Sequence, residues 1–201
     1  MKEEGNNSHT VFEKLLKRAD KEGLLNQHSK VIWLTGLSGS GKTSIAVWLE
    51  QKLNENGYLT QVLDGDNVRT GINNNLAFTE EDRLENIRRI SEVSKLFLNC
   101  GIITINSFVS PTEDVRDLAK EIIGDDDFLE VYINTSLEEC EKRDVKGLYK
   151  KARKGEIPNF TGISAPFEAP KNPALIIETE KNTIKQSGEL LYRFVLDKIR
   201  Y

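Results

Sequence analysis

Residues Gly36-Leu37-Ser38-Gly39-Ser40-Gly41-Lys42-Thr43 fit the pattern G-x-x-x-x-G-K-[ST], and this stretch constrains the fold more than any other in the chain. The apolar run Val31–Leu34 ahead of it reads as a buried strand, and the periodic segment Ser44–Leu53 behind it as a helix. A strand–loop–helix of this kind is a phosphate cradle. Its glycines let successive backbone N–H groups turn toward phosphate oxygens, and the helix N-terminus adds its positive end. Lys42 is placed to reach the β- and γ-phosphates, and the Thr43 hydroxyl to ligate Mg²⁺. The loop asks for a nucleoside triphosphate and is silent on what receives a phosphoryl group.

Downstream, apolar runs alternate with helical periodicity. Strands are expected at Leu59–Leu63, Ile102–Ile105, Phe128–Ile133 and Ala174–Glu178. Helices are expected from Thr79, as cap, to about Asn99, over Glu113–Ile123, from Ser136 to Arg143, and over Ile184–Ile199. Asn73–Asn75 and Asn106–Pro111 read as loops, and Gly155–Pro173 as a long segment without periodicity, the kind that forms lids. Alternation of this sort gives an α/β fold: a five-stranded, mainly parallel sheet flanked by helices, with ligands beyond the carboxyl ends of the strands. Residues 1–10 read as disordered, and Val11–Leu25 as a helix packed on the domain through Val11, Phe12, Leu15, Leu16 and Ala19.

At 201 residues one domain suffices, and a net charge of −4 argues against a general nucleic-acid or membrane binder. Met1–Thr10 is polar and no apolar run approaches membrane-spanning length, so the expected location is cytoplasmic. Cys100 and Cys140, with no C-x-x-C pairing, read as buried reduced thiols.

Phosphoryl transfer needs charge neutralisation, in-line positioning and exclusion of water. Asp64 and Asp66, two apart at a strand end, suit a metal and an acceptor hydroxyl, although an ordinary Asp-Gly turn has the same look. Arg69 adds a cation, while Arg83 and Asn86, at i and i+3, share one helix face able to grip an anion. Arg88 and Arg89 read equally well as a solvated face paired with Glu80, Glu81 and Glu85. Phe78 is either a staple residue at the helix start or a platform for a flat base. The basic stretch Lys146–Lys154 is a candidate lid, or else a solvated helix.

These segments, taken in order, resemble the adenylylsulfate kinase (APS kinase) family. The likeness runs through Gly36–Thr43, Asp64-Gly65-Asp66-Asn67-Val68-Arg69, Phe78 with Asp82–Arg89, Ser110-Pro111, Glu130-Val131-Tyr132, Lys146-Gly147-Leu148-Tyr149-Lys150-Lys151-Ala152-Arg153, Phe160-Thr161-Gly162-Ile163 and Glu168-Ala169-Pro170, about residues 31–175. The resemblance implies the P-loop nucleoside-triphosphate hydrolase fold, with a tail and helix over 1–28, a kinase domain over 29–201 and a lid about 144–173. It implies an ATP-dependent phosphotransferase that moves the γ-phosphoryl group to the ribose 3′-hydroxyl of adenosine 5′-phosphosulfate, making 3′-phosphoadenosine 5′-phosphosulfate (PAPS) in sulfate assimilation. Catalytic roles are implied for Asp66, Lys42, Ser110 and Lys146. Acceptor contacts are implied for Asp64, Arg69, Phe78, Arg83, Asn86, Ser110, Lys146 and Phe160, with the two aromatics sandwiching adenine. Mg²⁺ would sit with Thr43 and Asp66, the partners would be the two nucleotides and a second subunit in a homodimer, and no nucleic acid or membrane is implied.

The chain also departs from the family. Thr112-Glu113-Asp114-Val115-Arg116 stands where the family commonly has Tyr-Arg-x-Asp-Arg, Val145 replaces a frequent Pro, and Asn134 a frequent Asp. A small-molecule kinase with another acceptor is the reading the first departure invites. A non-catalytic nucleotide-binding regulator would be expected to lack Lys42, Asp66 or Arg83, and all three are present. For the ATP adenine, position alone offers Arg143 and the Ala169–Pro173 loop.

Overall fold

The computed structural model describes residue 11 and residues 14–201. The expected disorder over residues 1–10, and Phe12 of the N-terminal apolar spacing, lie outside the described residues. Five strands, β1 (Val31–Thr35), β2 (Thr60–Asp64), β3 (Ile103–Ser107), β4 (Phe128–Asn134) and β5 (Leu175–Glu178), form one sheet in the order β2-β3-β1-β4-β5. All four pairings are parallel, with Val31 opposite Thr104 on one side and Phe128 on the other. β1 is buried along its whole length, which is why it reads as an uninterrupted apolar run.

The helices are α1 (Arg18–Leu25), α2 (Lys42–Glu55), α3 (Gly65–Val68), α4 (Glu80–Asn99), α5 (Glu113–Ile123), α6 (Leu137–Arg143), α7 (Leu148–Arg153) and α8 (Ile184–Ile199). Alternate residues of β1 feed two cores. Ile32 and Leu34 pack with Ile45, Leu49, Leu191 and Val195 of α2 and α8, while Val31 and Trp33 pack with Ile87, Ile90, Val115 and Ala119 of α4 and α5. Gly188 of α8 lies flat against Trp48 of α2, where an added Cβ would stand 2.2 Å from the indole. Gly188→Ala is therefore expected to force α8 away from α2 and lower stability by about 1–3 kcal/mol, read by thermal or urea unfolding.

Several expectations need correction. β3 runs on through Asn106 and Ser107, which were expected in a loop; both are buried, and Asn106 Nδ2 donates to Ser94 Oγ at 2.7 Å, which ties the strand end to α4. After the strand end at Asp64, residues 65–68 wind into a helical turn that Asp64 caps. α1 starts only at Arg18, and Leu15, Leu16 and Leu24 are exposed. The N-terminal helix docks through charge instead: Arg18 pairs with Asp127 and with Glu22, and Glu22 Oε1 accepts from both the Ser29 amide and the Ser29 hydroxyl at 2.7 Å. Burial opposes ionisation of Glu22, but these donors hold its pKa down at about 2. Cys140 is buried as expected, whereas Cys100, the C-cap of α4, is exposed. Among the described residues no helix is long and apolar enough to cross a membrane.

Candidate active site

Four strand ends deliver the site. β1 runs into the phosphate loop, β2 into Asp64–Arg69, β3 into Phe108–Pro111 and β4 into Thr135 ahead of α6. The first three meet at a cavity of about 540 Å³ lined by Lys42, Thr43, Asp64, Asp66, Arg69, Phe78, Arg83, Asn86, Ser110, Lys146 and Phe160, while Thr135 stands behind the phosphate loop, donating to Ser40 O at 3.2 Å. Every residue singled out from the sequence for the acceptor or for chemistry is thus on one cavity, although they span residues 42 to 160. Open parallel sheets bind ligands at this edge because the connections diverge there to either side of the first strand.

The loop geometry explains its glycines. At Gly36 (φ 150°) an added Cβ would stand 2.6 Å from Ile133 O of β4, and the turn continues through positive φ at Gly39 and Gly41. Lys42 is folded back over the loop, its Nζ donating to Gly36 O at 2.9 Å and Leu37 O at 2.7 Å. Burial lowers its pKa to about 8. Ser40 O accepts from Thr179 Oγ1 at 3.0 Å, and the Arg143 guanidinium also contacts the loop carbonyls Gly39 O and Ser40 O at 3.4 Å.

The two acids divide the strand end between them. Asp64 is buried; its Oδ2 accepts from Thr43 Oγ1 at 2.8 Å and its Oδ1 from the Asp66 amide at 3.0 Å. Asp66 is exposed, and its carboxylate takes the Lys146 ammonium. Thr43 is therefore partnered by Asp64, which stands between it and Asp66, the other residue expected at Mg²⁺. No cluster of three or more His, Cys, Asp or Glu side chains suited to a metal occurs among the described residues. A hydroxyl with two neighbouring carboxylates is nonetheless the sparse oxygen set that suits Mg²⁺, which keeps waters and leans on substrate phosphates.

On the opposite wall Arg69 donates to the carbonyls of Leu76 and Ala77 and lies over the Phe78 ring, 4.3 Å from its centre. Arg83 donates to Phe78 O, Thr161 Oγ1 and Asn159 O. Neither guanidinium has a carboxylate partner among the described residues. Burial lowers the pKa of both, and the charge of Arg83 lowers that of Arg69 further. By contrast, Arg88 and Arg89 both pair with Glu85, so the solvated reading holds for them.

Sequence reasoning missed the residues behind these groups. Trp33 Nε1 donates to Ser110 Oγ at 2.9 Å, and Ser110 itself sits at φ 42°, uncommon for a residue with a side chain. Arg116, buried and paired with Glu130, donates to Ser110 O at 2.9 Å, so the departing Thr112–Arg116 segment still supports the Ser110 turn. Tyr149 is buried, gives its hydroxyl to Ser38 O at 2.8 Å, and meets Phe160 edge-on at 5.0 Å. It thereby links the phosphate loop to Phe160. Of the cations in the basic stretch only Lys146 lines the cavity, while Arg153 is spent on Glu141. The two adenine candidates are separated. Arg143 lies on the phosphate loop, while Glu168, just ahead of the Ala169–Pro173 loop, and Lys171 within it contact Pro111 and Glu113.

A parallel sheet with this loop at its first strand, and a cationic, aromatic wall facing the loop, defines a P-loop kinase. The family model described as "Adenylylsulphate kinase" matches residues 28–178. The adenylyl-sulfate kinase of Bacteroides thetaiotaomicron is 62% identical over 98% of this chain and 98% of its own, and that of Bacteroides fragilis 59% over the same shares. Among solved structures, the APS kinase CysC of Mycobacterium tuberculosis in complex with AMPPNP and APS superimposes with a TM-score of 0.81 at 44% identity, covering 84% of this chain and 98% of that one. The chain belongs to the adenylylsulphate kinase family.

Proposed function

We propose that this protein transfers the γ-phosphoryl group of ATP to the ribose 3′-hydroxyl of adenosine 5′-phosphosulfate, releasing ADP and PAPS. The observation that carries the acceptor half is the pair Arg69 and Arg83: two half-buried cations with no carboxylate partner among the described residues, on the same cavity as Lys42 and flanked by Phe78 and Phe160. Such a wall suits an anion attached to a flat base, since fixed guanidinium groups hold the charge and aromatic faces take the ring. A small polyol would leave both cations and both rings idle. The kinship with enzymes named for this reaction supports the same choice.

In the reaction we propose, Lys42 leaves the carbonyls of Gly36 and Leu37 and turns to the β- and γ-phosphates, while the loop amides hold the β-phosphate. Asp66 orients the acceptor 3′-hydroxyl and takes its proton as the bond to phosphorus forms. Lys146, released from Asp66 toward the transferring group, offsets its charge. Ser110 and Asn86 line the acceptor side with Asp64, Arg69 and Arg83, and Phe160 closes on the base with the lid over 144–173, which keeps water from the donor. Mg²⁺ would be held by Thr43 and by the Asp64 and Asp66 carboxylates, and when bound supplies neutralisation of the ATP phosphates. Residues 29–201 are read as the catalytic domain, with 1–28 as a tail and helix. The proposed assembly is a cytoplasmic homodimer, a subunit count that light scattering reads directly.

The deciding experiment is ADP release from Mg·ATP with a panel of acceptors. ADP is expected with adenosine 5′-phosphosulfate and not with AMP, gluconate or shikimate. Turnover of any of those three, with none on the phosphosulfate, would sink the proposal.

A further inference from the structure

Asn73 is fully buried, although it opens a run of three asparagines in a turn. Its Nδ2 donates to Asn86 Oδ1 at 3.0 Å, while its own buried Oδ1 has no hydrogen-bond partner among the described residues. An orphaned buried acceptor is a standing cost that an apolar side chain would avoid, so the arrangement needs a reason. The Asn73 backbone is fixed on both sides, its amide donating to Val68 O at 2.9 Å and its carbonyl accepting from Leu76 at 3.1 Å. From that fixed turn the side chain reaches Asn86.

The consequence is a polarity. Asn86 lines the cavity and its Oδ1 is already occupied, so the group it presents to a ligand is the Nδ2 donor, which makes no hydrogen bond within the described residues. Reversing the Asn86 amide alone would set two N–H groups against each other at Asn73. We infer that Asn73 is a positioning residue for the acceptor: by donating to Asn86 Oδ1 it keeps the Asn86 amide N–H facing the acceptor's anionic or lone-pair oxygen and nitrogen atoms. The inference rests on the function proposed above and adds to it a residue that need not touch substrate.

The test compares Asn73→Asp and Asn73→Ala with the wild type in steady-state ADP release, varying ATP and adenosine 5′-phosphosulfate separately. A carboxylate at 73 accepts instead of donating, so it turns the Asn86 amide round and aims its carbonyl at the acceptor. The acceptor KM is expected to rise by about tenfold to a hundredfold in Asn73→Asp, the loss of one hydrogen bond to a charged group, and by less in Asn73→Ala, with the ATP KM within about twofold. An unchanged acceptor KM in Asn73→Asp, or equal rises in both KM values, would overturn the inference by making Asn73 a bystander or a general prop. A readout without variants covers the case in which these proteins fail to fold. In ¹⁵N-labelled wild type, adding the phosphosulfate with AMPPNP should shift the Asn86 side-chain amide pair, and an unshifted pair overturns the inference. Failure of the proposed function itself shows separately, as no ADP from wild type with the phosphosulfate.

Discussion

Asp66→Asn is expected to lower kcat by about 10²–10⁴-fold, the usual contribution of a positioned base, while leaving the ATP KM nearly unchanged. The substitution is clean because the backbone role of this residue survives it. The Asp66 amide still donates to Asp64 Oδ1, which holds the first turn of α3, and Asp64 still takes the Thr43 hydroxyl. Only the carboxylate is lost, and with it the partner of Lys146 and one of the three groups proposed for Mg²⁺, of which Thr43 and Asp64 remain. That ion pair is exposed on both sides, so its loss should shift stability by no more than about 0.5 kcal/mol. A coupled ADP assay with a thermal melt separates the two quantities. Near-normal turnover would remove Asp66 from the chemistry and leave Lys146 and the phosphate loop to account for it.

The parts of this molecule that were legible in its sequence are those whose signal is local. The phosphate loop carries its own pattern, α5 and α8 begin and end where their periodicity does, and Thr79 caps α4 by accepting from the Asp82 amide. Arg83 and Asn86 could be placed on one face from helical spacing alone, and the cavity brings that face to the loop. What stayed hidden depends on distant partners. Asn106 and Ser107 look like loop residues until α4 supplies Ser94. The exposed leucines near the N-terminus suggested apolar docking, whereas the contact that forms is Arg18 with Asp127, far along the chain. Trp33 reads as core and is core, yet it also orients Ser110, a role visible only once β1 and the turn after β3 lie side by side.

The site shows the same division between what a residue is and what it faces. Lys150, Lys151 and Arg153 belong to a stretch whose charge suggested a lid acting on phosphates, but the helix turns most of that charge outward and leaves Lys146 at the cavity. Tyr149, in the same stretch, carries no charge and was given no role of its own, yet it is the residue that touches both the loop, at Ser38 O, and Phe160. Composition counts charges; the helix phase decides which of them meet the substrate.

Lys42→Met should abolish most turnover and at the same time stabilise the nucleotide-free protein at neutral pH. The catalytic loss follows from removing the one cation of the loop, and a fall in kcat of at least about 10²-fold is expected from withdrawing preorganised charge at the transferring group. The gain in stability follows from burial. The fold holds Lys42 at a pKa of about 8 against an ordinary 10.5, so the charged form is disfavoured in the folded state. Below pH 8 both the folded and the unfolded chain carry the proton, and the cost is present in full. Between pH 8 and 10.5 the folded protein releases the proton while the unfolded chain keeps it, and the cost fades as pH rises. The shift corresponds to about 3 kcal/mol at most, part of it offset by the bonds to Gly36 O and Leu37 O. The variant is thus expected to melt about 2–6 °C above wild type at pH 7, with the gap closing toward pH 10.5. Saturating Mg·ATP should reverse the order, because only the wild type then has phosphates for its lysine to meet. A variant that melts lower than wild type at pH 7 would mean that the lysine braces the empty loop, and that its strain is not held in reserve for the nucleotide.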